Sequence, residues 1–169
     1  MNIREAKLEE FQPLGQIMVS AYSQLEGFPQ PDEQPAYYEM LANVGELTKK
    51  PHTHLLVAVT EDDQLLGGVV YFSDMRSYGS RSSATQMKHV SGFRLLAVDA
   101  SAAGKGVGKA LTQACIDRAK ADGNEAVLIH TTASMKVAWG LYERLGFERF
   151  PDIDFLQEGL PVFGFRLQL

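Results

Sequence analysis

The sequence predicts a single α/β (α+β) domain in which a central sheet is flanked by helices in three layers. Short apolar segments typical of strands alternate along the chain with segments whose apolar residues recur at helical spacing. One uninterrupted pattern of this kind, without repeats or low-complexity tracts, indicates one domain over residues 1–169. A chain of 169 residues can bury about 70% of its unfolded surface, so it needs no covalent staple.

In the N-terminal half, a short strand and two helices precede a β-hairpin. Phe11, Leu14 and Ile17 recur at helical spacing, and prolines interrupt the segment that follows them. The predicted elements are a strand at 2–6, helices at 9–24 and 36–49, hairpin strands at 54–59 and 65–72, and a mobile polar loop or wide hairpin end at 73–86.

In the C-terminal half, Gly123 and Gly146 occupy positions typical of helix C-caps. Cys115 lies in step with the apolar residues of its helix, so we interpret it as a small core residue rather than a nucleophile. The predicted elements are strands at 87–98, 126–131, 147–150 and 162–169, and helices at 107–122 and 135–145.

A glycine-rich loop follows the long strand and opens the next helix. The N–H groups of a helix's first turn have no partners within the helix, and the helix dipole favours negative charge there. Alternating glycines leave the main chain open to a ligand, and two lysines add positive charge. The loop runs Ala103-Gly104-Lys105-Gly106-Val107-Gly108-Lys109, and this pattern predicts a binding site for a phosphorylated ligand.

The loop fits neither of two familiar phosphate-binding motifs. In a P-loop alignment, Ala103 replaces the first glycine and Ala110 replaces the Ser or Thr that binds magnesium. The dinucleotide fingerprint requires G-x-G-x-x-G, whereas this run is G-x-G-x-G. A plain strand-to-helix turn is the remaining alternative.

A second motif lies one strand and one helix downstream, at Ala138-Trp-Gly-Leu-Tyr-Glu-Arg-Leu-Gly-Phe147. Together with Leu96-Ala-Val-Asp99 and the glycine loop, it resembles the Gcn5-related N-acetyltransferase (GNAT) superfamily in order and spacing. The resemblance is firm over residues 90–150 and rests on layout elsewhere. It implies a mixed, mostly antiparallel sheet that is splayed between the fourth and fifth strands.

The resemblance implies that acetyl-CoA is the co-substrate, with no metal. The main chain of Leu96, Ala97 and Val98 would pair with the pantetheine arm, and a backbone N–H there would polarise the thioester carbonyl. The residues expected to take the pyrophosphate are Gly104, Lys105, Gly106, Val107, Gly108 and Lys109.

Two positions depart from the family pattern. Ala103 replaces the usual Gln or Arg, and Met135 stands where many members carry an Asn that contacts the cofactor. Ser134 could supply that hydrogen bond or cap the following helix. We favour the cap, because Ser before an apolar-periodic segment is a strong helix-start signal.

The resemblance implies that Tyr142 protonates the departing thiolate, since a phenol can donate a proton while remaining neutral at pH 7. The alternative is a core aromatic residue on the apolar stripe of its helix. For the base, many members carry a Glu where this chain has Gly92, and others carry one where it has His130. His130 could accept a proton directly or through water. It could equally be a strand residue that is hydrogen-bonded to the backbone, with bulk water taking the proton.

The acceptor amine is expected to contact the segment between the first two helices. Tyr22, Glu26, Phe28 and Tyr37 would form an aromatic wall with carboxylates, which suits a protonated amine. A solvated loop with incidental charges is the alternative.

Composition limits the class of protein. The net charge is −5, which argues against nucleic acid as a partner. A lone cysteine fits a reducing compartment, and the charged N-terminus lacks the apolar core of a signal peptide, so we expect a cytoplasmic protein that does not bind membranes. Members of the GNAT superfamily often pair through their C-terminal strands, so the resemblance, rather than composition, implies a homodimer.

Three functions fit these observations. The favoured one is an acetyl-CoA-dependent N-acetyltransferase that acts on a primary amine of a small molecule, amino acid or peptide by direct attack in a ternary complex. The second is a catalytically silent acyl-CoA-binding sensor, which the changes at Gly92, Ala103 and Met135 suggest. The third is an interaction subunit without affinity for CoA.

Overall fold

The computed structural model describes residues 1–79 and 82–169. The described helices are α1 (Phe11–Ser23), α2 (Pro35–Ala42), α3 (Val107–Ala121) and α4 (Lys136–Arg144). The described strands are β1 (Asn2–Glu5), β2 (Thr53–Val59), β3 (Leu65–Phe72), β4 (Val90–Val98), β5 (Ala126–Thr131), β6 (Glu148–Arg149), β7 (Phe155–Gln157) and β8 (Leu160–Gln168).

The strands form a mixed, mostly antiparallel sheet in the order β1-β2-β3-β4-β5-β8-β6, with β7 pairing with β8 off this path. The pairs β1–β2, β5–β8, β6–β8 and β7–β8 are antiparallel, whereas β4 and β5 are parallel. This arrangement confirms the predicted fold class.

The parallel ladder between β4 and β5 is short. It joins Val90–Gly92 to Ala126–Leu128, which is a third of the nine residues of β4. Farther along β4, Leu95 has a φ of 60°, a left-handed conformation that a branched side chain rarely adopts. A short ladder followed by a strained residue agrees with the splay expected between these strands.

The chain divides into two compact units. The first comprises residues 1–70 and 95–114, and Leu14, Met18 and Leu41 are fully buried in it. Gly15 lets α1 approach α2, since a Cβ at Gly15 would lie 2.2 Å from the carbonyl oxygen of Ala42.

The second unit comprises residues 71–94 and 115–169, and its buried residues include Leu128, Ile129 and Phe165. Cys115 is fully buried, as its helical position predicts, and burial raises the pKa of its thiol. The organisation of residues 1–169 as a single domain stays a prediction.

A polar network within the second unit holds the end of α3. The Tyr71 hydroxyl donates to Asp122 Oδ2 at 2.7 Å and lies 2.9 Å from Ser91 Oγ, which Asn124 Nδ2 also contacts. Gly123 lies between Asp122 and Asn124 in the chain. It has a φ of 76°, the left-handed conformation expected of its predicted C-cap position.

The second predicted helix was too long, and one strand was not predicted. The second helix ends at Ala42 rather than at residue 49, and a 3₁₀ helix continues over Val44–Lys49. Asn43 donates its side-chain amide to Glu39 O, and Gly45 lies against the Phe11 ring, so local side-chain bonding and close packing replace the α-helical path. The short strand β7 was not predicted, because three residues carry too little periodic signal.

The segment predicted as a mobile polar loop at 73–86 contains two 3₁₀ turns, Met75–Ser77 and Ser83–Gln86. Ser80 and Arg81, which belong to this prediction, lie outside the described residues. Met75, Tyr78 and Ala84 are at most 1% exposed, so the described parts of the segment contribute to the core rather than extend into solvent.

Among residues 1–79 and 82–169, no helix combines the length and apolar character that a bilayer crossing requires.

Gly15→Ala should lower the free energy of unfolding by about 1–3 kcal/mol, because the added methyl group meets the Ala42 backbone, which cannot move aside cheaply. Gly140→Ala is the matched control. Its nearest neighbour is the flexible Arg144 side chain at 3.0 Å, so higher helix propensity should make this variant neutral or stabilised by up to about 1 kcal/mol. Urea denaturation of both variants measures the difference, and equal midpoints would contradict the close approach of α1 and α2.

Candidate functional site

The glycine-rich loop adopts a backbone that its glycines make possible. Gly104 and Gly106 have φ values of 77° and 80°, and a Cβ at either position would face open space. The requirement for glycine here is therefore conformational rather than steric. Ala103, Gly104, Lys105 and Gly106 are all exposed, which leaves this side of the loop open to a ligand.

Most main-chain donors of this loop have no acceptor among residues 1–79 and 82–169. Within the part of the chain that the structure describes, no acceptor is found for the N–H groups of Gly104, Gly106, Val107, Gly108 and Lys109. The first backbone bond of the helix is the one from Ala110 N–H to Gly106 O, at 3.0 Å. Successive free amides at the start of a helix form a concave site for an anion.

The charged side chains of the loop add to this donor set. Lys105 and Lys109 are exposed, and neither forms an ion pair or hydrogen bond with any described residue. Ala103 supplies no side-chain donor, so two ammonium groups and the amides are what the loop can offer a diphosphate. This donor set fits a pyrophosphate, although it contains no planar guanidinium group.

The segment that leads into the loop is held by its own polar contacts. The Asp99 carboxylate accepts from Ser101 N–H at 3.1 Å and also contacts Ser101 Oγ, and Asp99 N–H donates to Leu66 O at 2.8 Å. Leu96 and Val98 are half-buried, whereas Ala97 is buried. The Leu96 carbonyl accepts from Tyr22 Oη at 3.2 Å.

Tyr142 has a buried ring and an unengaged hydroxyl. The residue is 5% exposed, and its ring packs against Phe93 and Phe147, with centroid distances of 5.8 Å and 5.7 Å. Its Oη has no hydrogen-bond partner among the described residues, but the atom keeps access to solvent. Burial raises the pKa of the phenol, with smaller contributions from Tyr78 and Cys115, so Tyr142 carries its proton at neutral pH.

His130 has both ring nitrogens engaged. Nε2 lies 2.7 Å from Ile153 O, which can only accept, so Nε2 carries the proton. Nδ1 is then the acceptor for Tyr78 Oη at 3.0 Å. Burial lowers the pKa of His130 to about 4, so the ring is neutral near pH 7. This geometry does not favour direct abstraction of a proton by His130, because the one available lone pair already accepts a hydrogen bond.

Tyr78 fills the space beside Gly92. A Cβ at Gly92 would lie 2.8 Å from Tyr78 Cε1, 2.7 Å from Met75 Sδ and 2.8 Å from Leu128 O. The position at which many family members have a glutamate therefore admits no side chain here. Sequence reasoning missed Tyr78, which lies in the segment predicted as a mobile polar loop or wide hairpin end. The glycine in a strand was the available signal, since such glycines often mark a close approach.

Ser134 does not cap α4. The N-cap residue is Met135, and no side-chain hydrogen bond closes this helix end. The preferred interpretation of Ser134 as a cap was wrong, because the helix begins one residue later than the cap requires. Its half-buried hydroxyl makes no hydrogen bond with the described residues.

The predicted aromatic wall exists as a packed cluster. The rings of Tyr22, Phe28 and Tyr37 lie at mutual centroid distances of 5.6 Å, 5.9 Å and 6.1 Å. Because the rings contact each other, no cation fits between them, and only the outer face of the cluster is available to a ligand. Glu26 is exposed.

The strand order and the helix that begins with free amides define an acetyltransferase fold. The model of the acetyltransferase (GNAT) family matches residues 15–147, and the chain belongs to this family.

Individual relatives are more distant. The chain is 33% identical over 95 residues to a mycothiol acetyltransferase from Renibacterium salmoninarum; the match covers 56% of this chain and about a quarter (26%) of that protein's length. The PaiA N-acetyltransferase of Thermoplasma acidophilum, solved with coenzyme A, matches with a TM-score of 0.75 and 14% identity over 99% of this chain and 98% of that one. The yncA protein of Salmonella typhimurium, solved with its cofactor acetyl-CoA, matches with a TM-score of 0.66 and 19% identity over 100% and 94% of the two chains. At 19% and 14% identity, these two structures show only that this chain shares their fold.

His130 should make the protein less stable in mild acid. Its pKa in the folded protein, about 4, lies below the ordinary 6.5, so the unfolded chain binds more protons between these values. The free energy of unfolding therefore falls as the pH drops from 6.5 towards 4. His130→Gln keeps a donor for Ile153 O but does not titrate. Between pH 7 and pH 4.5, the wild-type protein should lose about 2 kcal/mol more than this variant in urea denaturation. Equal losses would contradict the burial of a neutral imidazole.

Proposed function

We propose that the protein is an N-acetyltransferase that transfers the acetyl group of acetyl-CoA to a primary amine of a small molecule, amino acid or peptide. Membership of the acetyltransferase family supports the reaction class. The observation that carries the proposal is the set of N–H groups at Gly104 and at Gly106 to Lys109, together with the side chains of Lys105 and Lys109, all of which lack a partner among the described residues. These donors suit the pyrophosphate of CoA and are not needed to hold the fold.

In the proposed reaction, the amine nitrogen attacks the thioester carbonyl carbon while both substrates are bound. A C–N bond forms, the C–S bond breaks, and the sulfur leaves with the bonding electron pair. Tyr142 Oη gives its proton to that sulfur, because the phenol is protonated and its oxygen has no other partner among the described residues. The amine loses one proton, which restores the phenol through solvent.

We propose water as the acceptor of the amine proton. His130 is neutral, and its acceptor nitrogen is engaged by Tyr78, so it serves better as a fixed partner of Tyr78 than as a base. With water as the acceptor, the rate at neutral pH depends on the fraction of amine that is free base, and amines of lower pKa react faster.

The acceptor is proposed to lie against the outer face of the cluster formed by Tyr22, Phe28 and Tyr37, near Glu26. An aromatic face and a carboxylate suit a protonated amine before it loses its proton. A panel of small amines, amino acids and peptides, assayed by release of free thiol, identifies the acceptor class. A cytoplasmic location and a homodimer stay predictions.

Binding of CoA should depend on the loop lysines. Lys105→Met with Lys109→Met should weaken CoA binding roughly tenfold in calorimetry, because two charge-assisted contacts to phosphate are lost. Lys120→Met, at the far end of α3, removes one exposed lysine without touching the loop and should bind CoA like the wild type. Equal affinity of all three proteins would place CoA elsewhere. Failure of the wild type to bind CoA would overturn the proposed function.

Tyr142→Phe should reduce kcat by a factor of about 10² to 10⁴, because a positioned proton donor is lost, with the CoA dissociation constant unchanged. Tyr71→Phe removes another buried hydroxyl from the same unit, and it should lower stability while leaving kcat near the wild-type value. If the wild type binds CoA but acetylates no amine in the panel, the protein is the acyl-CoA sensor. If it turns over and Tyr142→Phe is equally fast, the proton reaches the sulfur by another route.

A further inference from the structure

The strained residue in β4 needs surroundings that hold it in place. Leu95 has a φ of 60° within a strand, and this left-handed conformation is strained for a non-glycine residue. Leu95 is 5% exposed, so its side chain is anchored in the core. One residue farther along, the peptide between Leu96 and Ala97 must be fixed by contacts other than an ideal strand backbone.

Contacts within the first unit fix this peptide and the chain that follows it. Gly67 approaches β4 so closely that a Cβ there would lie 2.4 Å from Ala97 O, and Asp99 N–H donates to Leu66 O. Tyr22 reaches the same segment from α1, where its hydroxyl donates to Leu96 O at 3.2 Å. Of these contacts, the one from Tyr22 is the only one made by a side-chain donor.

Tyr22 is itself held firmly. It is 6% exposed, and its ring packs against Phe28 and Tyr37 at 5.6 Å and 6.1 Å. A phenol has a single proton, so the bond to Leu96 O uses its whole donor capacity. A hydroxyl committed in this way does not donate to an acceptor substrate at the same time.

The hydrogen bond fixes more than one oxygen atom. The peptide group is planar and trans, so holding the Leu96 carbonyl also sets the direction of the Ala97 N–H on the opposite edge of the same plane. Removing the hydroxyl frees this peptide to rotate next to a residue that is already strained.

We propose that Tyr22 is a positioning residue, which orients the Leu96–Ala97 peptide for the acyl-carrying arm of the co-substrate rather than contacting the acceptor amine. This inference rests on the proposed function. It implies that the aromatic cluster of Tyr22, Phe28 and Tyr37 stabilises β4, because the cluster holds Tyr22 in place. The acceptor contacts only the outer face of the cluster, through the remaining rings.

Tyr22→Phe tests the proposal, because it removes one oxygen and keeps the ring in its cluster. We expect kcat to fall roughly tenfold, since small misplacements of a reacting group are costly, while the KM of the acceptor stays unchanged for every amine that the wild type accepts. Hydrogen–deuterium exchange should be faster over residues 95–99 in the variant, and this measurement reads the peptide directly even where activity is low.

Tyr38→Phe is the matched control. Tyr38 is 5% exposed, and its hydroxyl also donates to a backbone carbonyl, Pro29 O, at 2.7 Å, away from β4. This variant should keep the wild-type kcat and the wild-type exchange over residues 95–99, whatever it loses in melting temperature.

Three outcomes overturn the inference. The first is a Tyr22→Phe variant with the wild-type kcat and exchange rate. The second is an acceptor KM that rises while kcat is unchanged, which makes Tyr22 an acceptor contact. The third is an equal loss of kcat in Tyr38→Phe, which would show that the loss in Tyr22→Phe comes from lower stability of the fold. A wild type that binds no CoA overturns the proposed function instead.

Discussion

The candidate site depends on main-chain amides at the start of α3 that have no acceptor within the described residues. Free amides in a row are costly in an apolar setting, so they must face water or an anion. Gly104 and Gly106 have positive φ values, and residues 103–106 are exposed, so this side of the loop is open to a ligand. The identity of the side chains matters less here than the path of the backbone, which explains how the loop can lack the usual Gln or Arg at Ala103.

Strong local patterns made much of the fold predictable. The bounds of β3 and β5 agree residue for residue with the prediction, because each is a continuous apolar run between clear turn signals. The end of the second helix depends partly on the distant Phe11 ring, which lies against Gly45, and the buried turn around Met75 packs against Gly92 of β4. Nothing in the polarity of residues 73–86 indicates that Tyr78 fits beside a glycine of a strand, since the fit needs both partners in place.

The same distinction applies to the site. Glycine spacing predicts the loop, because it acts through backbone conformation, which is a local property. The state of His130 follows instead from Ile153 and Tyr78, which lie 23 and 52 residues away in the chain. A histidine that looks like a base in the sequence is thus a neutral ring with both nitrogens occupied. At Gly92, likewise, the structure leaves no room for a glutamate, because other residues fill the space that a side chain would occupy.

The tyrosines show why residue type alone does not assign a role. Each phenol can donate one hydrogen bond. Tyr22 donates to Leu96 O, Tyr38 donates to Pro29 O, and Tyr78 donates to His130 Nδ1. Tyr142 differs because burial keeps it protonated while no described residue accepts that proton. The Tyr142 hydroxyl keeps access to solvent, so its proton remains free to pass to a ligand. Tyr142 is therefore the phenol available for chemistry, whereas the hydroxyls of the other three hold parts of the fold.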